Sequence, residues 1–217
     1  MISVILLMAG SGSRMNIDKN KILLPLGDKN MFEIPLDLFL SFNFEVVCVV
    51  NKNDLDLVKP LIINKAKIVI GGKTRMESVY NGLKEVSGDY VIIHDSARPL
   101  ISKDVINKII EIKNDKNCIL CYRNCKDTIK IVENGIKTLD RSKLISAVTP
   151  QCGPRELLLN AYEKAFKDNK EFTDDISLIE NYYKDVKIDL VLANEESFKI
   201  TTPIDYELLK LVWSKKW

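Results

Sequence analysis

A Rossmann-like α/β fold, with a mostly parallel sheet covered by helices on both faces, is the architecture this chain predicts. Three observations predict it. Short apolar runs rich in branched residues recur along the 217 residues. Segments with apolar residues at helical spacing separate the early runs. Glycine-bearing turns follow several runs, where a strand would pass into a helix. Parallel neighbours need a crossover to return the chain to the same end of the sheet, and a helix is the usual crossover.

The elements follow in order. Ile2–Met8 is the first strand, apolar enough to be buried on both faces. A glycine-serine loop, Ala9-Gly10-Ser11-Gly12-Ser13-Arg14-Met15, comes at once, then Lys19 and Lys21. Phe32, Leu36, Phe39 and Leu40 mark a helix, and Glu45–Val50 and Lys67–Ile70 are strands. Gly71-Gly72 leads into a helix carrying Met76, Val79, Tyr80 and Leu83. Residues 89–94 form the next strand, and Val105, Ile106, Ile109 and Ile110 mark the helix after it. Strands are expected at 118–122 and 188–192. Pro154 opens a helix over 155–166. Another begins near Thr173, with Asp174 and Asp175 suited to its positive end. Pro203 and Asp205 begin the last helix.

The pattern changes over residues 126–144. Residues 128–132 and 136–139 flank Glu133-Asn134-Gly135, and Asn-Gly between short alternating runs is a hairpin signal. A lone hairpin is marginal in water, so this arm must pack on something, and a second copy of the chain is the natural partner. There is no internal repeat or low-complexity linker, so residues 1–217 are expected to form one domain with the arm as an appendage.

The 32 Lys and Arg nearly balance 30 Asp and Glu, giving a net charge of +2 mixed along the chain. That argues against a general nucleic-acid binder. No apolar run reaches the roughly 18 residues of a membrane span. The first apolar run has no basic region before it and is interrupted by Gly10, Gly12 and Arg14, unlike a signal peptide. A cytoplasmic location is expected, with Cys48, Cys118, Cys121, Cys125 and Cys152 kept as thiols. Cys118, Cys121 and Cys125 could suggest a metal site, but a three-residue offset along a strand puts the first two on opposite faces. Cys152 follows Pro150-Gln151 and is expected near the site, with nothing to activate it as a nucleophile.

Sites in such sheets gather beyond the carboxyl ends of the strands. Three clusters fall there. The glycine-serine loop lacks the Gly-Lys-Ser/Thr of a Walker A sequence and the third glycine of a dinucleotide fingerprint. Two glycines alone would be an ordinary turn, but Arg14 and Lys21 add cations suited to a triphosphate whose α-phosphate gains charge during displacement. Gly71-Gly72 permits close approach of a ligand to backbone, with Ser78 one turn into the next helix. His94-Asp95-Ser96-Ala97-Arg98-Pro99 places a carboxylate where a hard divalent cation can be held. His94 reads as a packed side chain beside the strand end.

These motifs, together with Lys126-Asp127-Thr128, Thr138-Leu139-Asp140-Arg141, Thr149-Pro150-Gln151 and Lys199-Ile200-Thr201, occur in one order. In that order the sequence resembles the 2-C-methyl-D-erythritol 4-phosphate cytidylyltransferases over nearly its whole length. It shares much of the pattern with ribitol-5-phosphate cytidylyltransferases. The resemblance implies a nucleotidyltransferase fold of the GT-A-like type and a magnesium-dependent transfer of CMP from CTP to a polyol phosphate, with pyrophosphate leaving. It also implies a homodimer clasped through the arm. Arg14, Lys21, Lys126 and Lys199 correspond to catalytic cations. Ala9, Gly10, Ser11, Gly12 and Ser13 would wrap the nucleotide, with Gly72, Arg75, Ser78, Asp95 and Ser96 completing its site and Asp95 beside the metal. Lys126 and Thr138 would reach the acceptor bound to the neighbouring subunit, with Thr173 and Lys199 also on the acceptor side.

The chain departs from the family pattern at four places. Asn20-Lys21-Ile22 replaces Pro-Lys-Gln, which implies a less rigid turn, and Lys126 replaces an arginine and loses its bidentate fork. Ser96 and Lys73 are the others. The arm motifs favour methylerythritol phosphate as acceptor. Ribitol phosphate or another polyol phosphate of surface-polymer synthesis is the alternative, and a non-catalytic nucleotide-binding protein is a second.

Overall fold

The computed structural model describes residues 1–10 and 20–216. In chain order the elements are β1 (Ile2–Met8), β2 (Pro25–Leu26), β3 (Lys29–Asn30), α1 (Glu33–Leu40), β4 (Glu45–Val50), α2 (Leu55–Ile62), β5 (Lys67–Ile70), α3 (Arg75–Glu85), β6 (Tyr90–Asp95) and α4 (Lys103–Ile112). They continue with β7 (Asn117–Asn124), β8 (Lys130–Val132), β9 (Ile136–Thr138), β10 (Ile145–Pro154), α5 (Arg155–Lys167), α6 (Asp175–Tyr182), β11 (Lys187–Leu192) and α7 (Pro203–Lys216). Among the described residues, seven strands form one sheet in the order β11-β7-β10-β6-β1-β4-β5. Only β10 runs against its neighbours. The expected mostly parallel α/β sheet is therefore present.

The two faces are built by alternation. Val4, Leu6 and Met8 of β1 face a core made with α1, α2 and α4, while Ile5 faces a second core made with α3, α5 and α6. Successive side chains of a strand point to opposite faces, which is why one strand feeds both cores. Cys118 belongs to one core and Cys121 to the other, as their offset predicts. Two of the helices flanking the site region start on side-chain caps. Thr74 accepts the Glu77 N–H at the head of α3, and Ser102 accepts the Val105 N–H at the head of α4.

A smaller cluster of Leu26, Met31, Ile200 and Leu209, with Tyr206 and Trp213 against it, packs α7 on the β2–β3 hairpin. Gly27 turns that hairpin at φ 67°, and a Cβ there would lie 2.8 Å from Trp213 Nε1. No larger residue fits without moving the indole.

β8 and β9 pair only with each other. Asn134 and Gly135 both have positive φ, the requirement that makes Asn-Gly the favoured tight-hairpin pair. Val132 is 77% exposed and Ile136 72%. β10 and α2 were not predicted by apolar patterning. β10 carries Pro150, Gly153 and Pro154 and shifts register between Ala147 and Gln151, and α2 contains Pro60. Both departures break the periods on which strand and helix readings rest.

The position of the site follows from strand order. β1 connects to β4 on one side, yet its other neighbour is β6, with Leu7 opposite Asp95. That divergence is a topological switch point, and a crevice opens beyond the carboxyl ends of the strands there.

Candidate active site

A cavity of about 480 Å³ lies at this switch point. Its walls include Ala9, Gly10, Lys21, Gly72, Arg75, Ser78, Asp95, Ser96 and Lys199, drawn from all three sequence clusters and from the segment before α7. Ser11, Gly12, Ser13 and Arg14, also assigned to the site, lie outside the described residues.

Asp95 is the last residue of β6 and among the described residues the only acidic side chain lining the cavity. Lys199 Nζ donates to its Oδ2 at 2.7 Å, and Arg75 Nε lies 3.6 Å from Oδ1. Burial alone would push the Asp95 carboxyl up, but the Arg75 and Lys199 cations outweigh it and hold the group well below the usual carboxylate range. The carboxylate is thus ionised at any working pH.

Arg75 is itself held from behind. Its two terminal nitrogens donate to the two oxygens of Asp175 at 2.9 and 2.7 Å, a bidentate fork onto a carboxylate with no exposed surface. The Tyr162 hydroxyl donates to the same carboxylate. Gln151 Oε1 accepts the N–H groups of Asp175 and Ile176, and its Nε2 donates to Asp174. Sequence reading placed Asp174 and Asp175 only as helix-end charges and missed this network. Its signal was the pairing of a Gln in an odd segment with an Asp-Asp helix start. Arg98 was also left without a role. It donates to the Ser197 carbonyl, while its buried Nε has no hydrogen-bond partner among the described residues.

Gly71 and Gly72 are sterically required. A Cβ on Gly71 would lie 2.5 Å from the Ala9 Cβ, and one on Gly72 would lie 2.2 Å from the Glu77 Cβ. Ser78 lines the cavity, but its hydroxyl donates to the Thr74 carbonyl and accepts the Gly72 N–H. Its proton is therefore engaged in shaping the turn. The Ser96 hydroxyl donates to the Leu7 carbonyl, tying β6 to β1.

Lys21 sits in a short 3₁₀ turn over residues Lys21–Leu23 and donates to the Ile200 carbonyl at 2.8 Å. The turn is firmer than its sequence suggested, because Asn20 caps it and ties it to Gly10 and Asp54. His94 is fully buried, with Nε2 on the Arg98 carbonyl and Nδ1 against the Thr149 hydroxyl. Cys152 is equally buried in the core, and burial pushes its thiol well above its ordinary value, so it offers no thiolate.

Lys126, Thr138 and Thr173 do not line this cavity. Lys126 Nζ pairs with Glu195 at 2.7 Å, Thr138 accepts a hydrogen bond from Lys130, and Thr173 is exposed. Among the described residues, the cavity of one chain thus brings Lys199 together with members of all three sequence clusters, and leaves Lys126, Thr138 and Thr173 outside. Among the described residues no group of three or more His, Cys, Asp or Glu side chains is placed to hold a metal. A cation on Asp95 would depend on phosphate and water oxygens, the habit of Mg²⁺. No described helix is long and apolar enough to cross a membrane.

Known proteins share this fold. The crystal structure of 4-diphosphocytidyl-2C-methyl-D-erythritol synthase from Anaerococcus prevotii superposes with a TM-score of 0.87 at 28% identity, covering 98% of each chain. The bifunctional IspDF from Campylobacter jejuni matches at 0.83 and 29%, over 96% of this chain and 54% of that one. The 2-C-methyl-D-erythritol 4-phosphate cytidylyltransferase of Clostridioides difficile is 39% identical across 98% of this chain and 93% of its own. That of Clostridium botulinum strain Okra is 40% identical across 98% and 97%. The family model for 2-C-methyl-D-erythritol 4-phosphate cytidylyltransferase (IspD) matches residues 2–214, and with relatives of this identity and coverage the chain belongs to that family.

Proposed function

We propose that this enzyme transfers CMP from CTP to 2-C-methyl-D-erythritol 4-phosphate, forming 4-diphosphocytidyl-2-C-methyl-D-erythritol and pyrophosphate. The observation that carries the reading is the switch-point cavity, where Lys21, Arg75, Asp95 and Lys199 converge beside the Ala9-Gly10 backbone in a chain of this family. Relatives bearing the methylerythritol name, together with the arm motifs, favour this acceptor over ribitol phosphate.

An oxygen of the acceptor phosphate attacks the α-phosphorus of CTP. The bond from that phosphorus to the bridging oxygen breaks, and pyrophosphate leaves with the electron pair. A phosphate dianion is already a nucleophile near neutral pH, so no base is required. Electrostatics and alignment carry the rate in such a transfer. Lys21, with Arg14, meets the triphosphate, and the Ala9–Gly10 and Gly72 backbone reads the cytosine. Lys199 bridges the Asp95 carboxylate and the acceptor side. Among the described residues, Asp95 fits as the one carboxylate lining the cavity for a divalent cation such as Mg²⁺, which would neutralise phosphate charge there. Arg75 orients Asp95 while Asp175 holds it.

Lys126 and Thr138 act on the acceptor bound by the partner in a homodimer, since neither reaches the cavity of its own chain. Residues 1–217 form one nucleotidyltransferase domain, with 126–144 as the dimerisation arm. A cytosolic location suits a chain whose five cysteines are all free thiols.

Lys21→Ala tests the site. Turnover should fall roughly 100- to 1000-fold, the range for removing one preorganised transition-state donor, while CTP affinity falls less. Pyrophosphate release and calorimetric CTP binding measure the two. Unchanged turnover would remove Lys21 from the mechanism.

A further inference from the structure

Asn20 ends the segment that begins at Gly10, and it stands immediately before Lys21. The residue is 7% exposed, and its side chain is engaged at both ends. Nδ2 donates to the Gly10 carbonyl at 2.9 Å and to Asp54 Oδ2 at 2.6 Å, and Oδ1 accepts the Ile22 N–H at 3.3 Å. A second asparagine works beside it, as Asn51 Nδ2 donates to the Ala9 carbonyl at 3.4 Å. Both carbonyls of the Ala9-Gly10 backbone are therefore anchored by side-chain amides. A peptide unit is planar and trans, so anchoring the Ala9 carbonyl also fixes the direction of the Gly10 N–H. Gly10 and Lys21 both line the cavity.

From this geometry we propose that Asn20 is a positioning residue for the transfer, a clasp that fixes the Gly10 backbone and the turn carrying Lys21 relative to each other, with Asp54 as its anchor. The inference rests on the reading that Lys21 and the Ala9-Gly10 backbone meet CTP. The backbone at Asn20 has φ −61° and ψ 130°, a conformation proline adopts without strain. A proline there would fix the turn but would supply neither tie. The asparagine side chain adds a link between two points ten residues apart in the chain. An amide is suited to it, because one NH₂ group carries two donors and the oxygen remains to cap the turn. An aspartate would have no donor and would face the Asp54 carboxylate.

The test is steady-state pyrophosphate release by the full-length protein, with CTP and the acceptor phosphate varied separately. Asn20→Ala should lower kcat/KM for CTP roughly 10- to 100-fold, the scale of a misplaced catalytic group, and leave KM for the acceptor within about threefold. Asn20→Pro should be impaired to the same degree. Asp54→Asn, which keeps an acceptor oxygen for Asn20, should retain most activity, and Asp54→Ala should fall between the wild type and Asn20→Ala. The Asp54 pair tests the clasp even if an Asn20 variant fails to fold. Wild-type turnover by Asn20→Pro would show that the turn alone suffices and would overturn the clasp. So would equal activity of the two Asp54 variants, or an Asn20→Ala loss confined to the acceptor. Absence of turnover in the wild type would instead overturn the functional reading.

Discussion

Protonating His94 should destabilise this protein, and the chain's single histidine makes the effect measurable. The imidazole is fully buried beside Phe39. The Arg98 carbonyl can only accept, so Nε2 carries the proton and Nδ1 is the acceptor. The Thr149 hydroxyl then donates to Nδ1 while accepting the Asp95 N–H, a chain that runs to the backbone of the carboxylate lining the cavity. Burial, reinforced by the Arg98 and Lys199 cations, pulls the imidazole down to about 4 against the opposing pull of the Arg98 carbonyl and Asp95. The folded state thus binds this proton more weakly than the unfolded chain, whose value is near 6.5. The stability is fully present above about pH 6.5 and is gone once the pH has fallen through the folded value. Between pH 7 and pH 5 the loss from this group alone is about 2 kcal/mol. Urea unfolding at the two pH values measures it, and His94→Gln, lacking the titrating group, gives the loss due to all other residues. The imidazole proton resonance should not titrate above about pH 5. A midpoint near the unperturbed value, or equal pH sensitivity of wild type and variant, would refute the argument.

Two other perturbations separate the supports of the site. Asp175→Ala leaves the Arg75 guanidinium and the Tyr162 hydroxyl without their shared partner, and breaking a buried ion pair costs about 3–5 kcal/mol. That corresponds to a fall in Tm of roughly 6–20 °C by calorimetry, and an unchanged Tm would mean the network is not structural. Val132→Asp with Ile136→Asp places charges on exposed hairpin positions, so the folded protomer should change by less than about 1 kcal/mol in stability. If the arm clasps a second copy, light scattering should find a monomer of low activity. A persistent dimer would exclude the arm as the interface.

The sequence carried the sheet because six of its seven strands are apolar runs with a single meaning. Ile2–Met8, Glu45–Val50 and Lys67–Ile70 match residue for residue, and 89–94, 118–122 and 188–192 lie within one or two residues of the observed ends. The seventh strand, β10, contains two prolines and a glycine, and what makes it a strand is tertiary pairing on both sides. Gln151 lies on that strand, so the network behind Arg75 was illegible for the same reason. Asp95 was readable as a carboxylate at a strand end and Lys21 as a cation after the glycine loop, while Lys199 was marked only by the family resemblance. That Arg75 divides itself between Asp175 and Asp95 was not, because Arg75 and Asp175 are separated by 100 residues and nothing local marks the pairing. Asn20 read as a weaker residue in a proline position, since sequence shows the backbone constraint lost and hides the three hydrogen bonds gained.

The most direct measurement of the central claim is pyrophosphate release with CTP and Mg²⁺, comparing 2-C-methyl-D-erythritol 4-phosphate with ribitol 5-phosphate at equal concentrations. Rapid release with the methylerythritol phosphate and background release with the ribitol phosphate is the predicted result. Preference for ribitol phosphate, or binding of CTP with no release from either acceptor, would contradict the assignment.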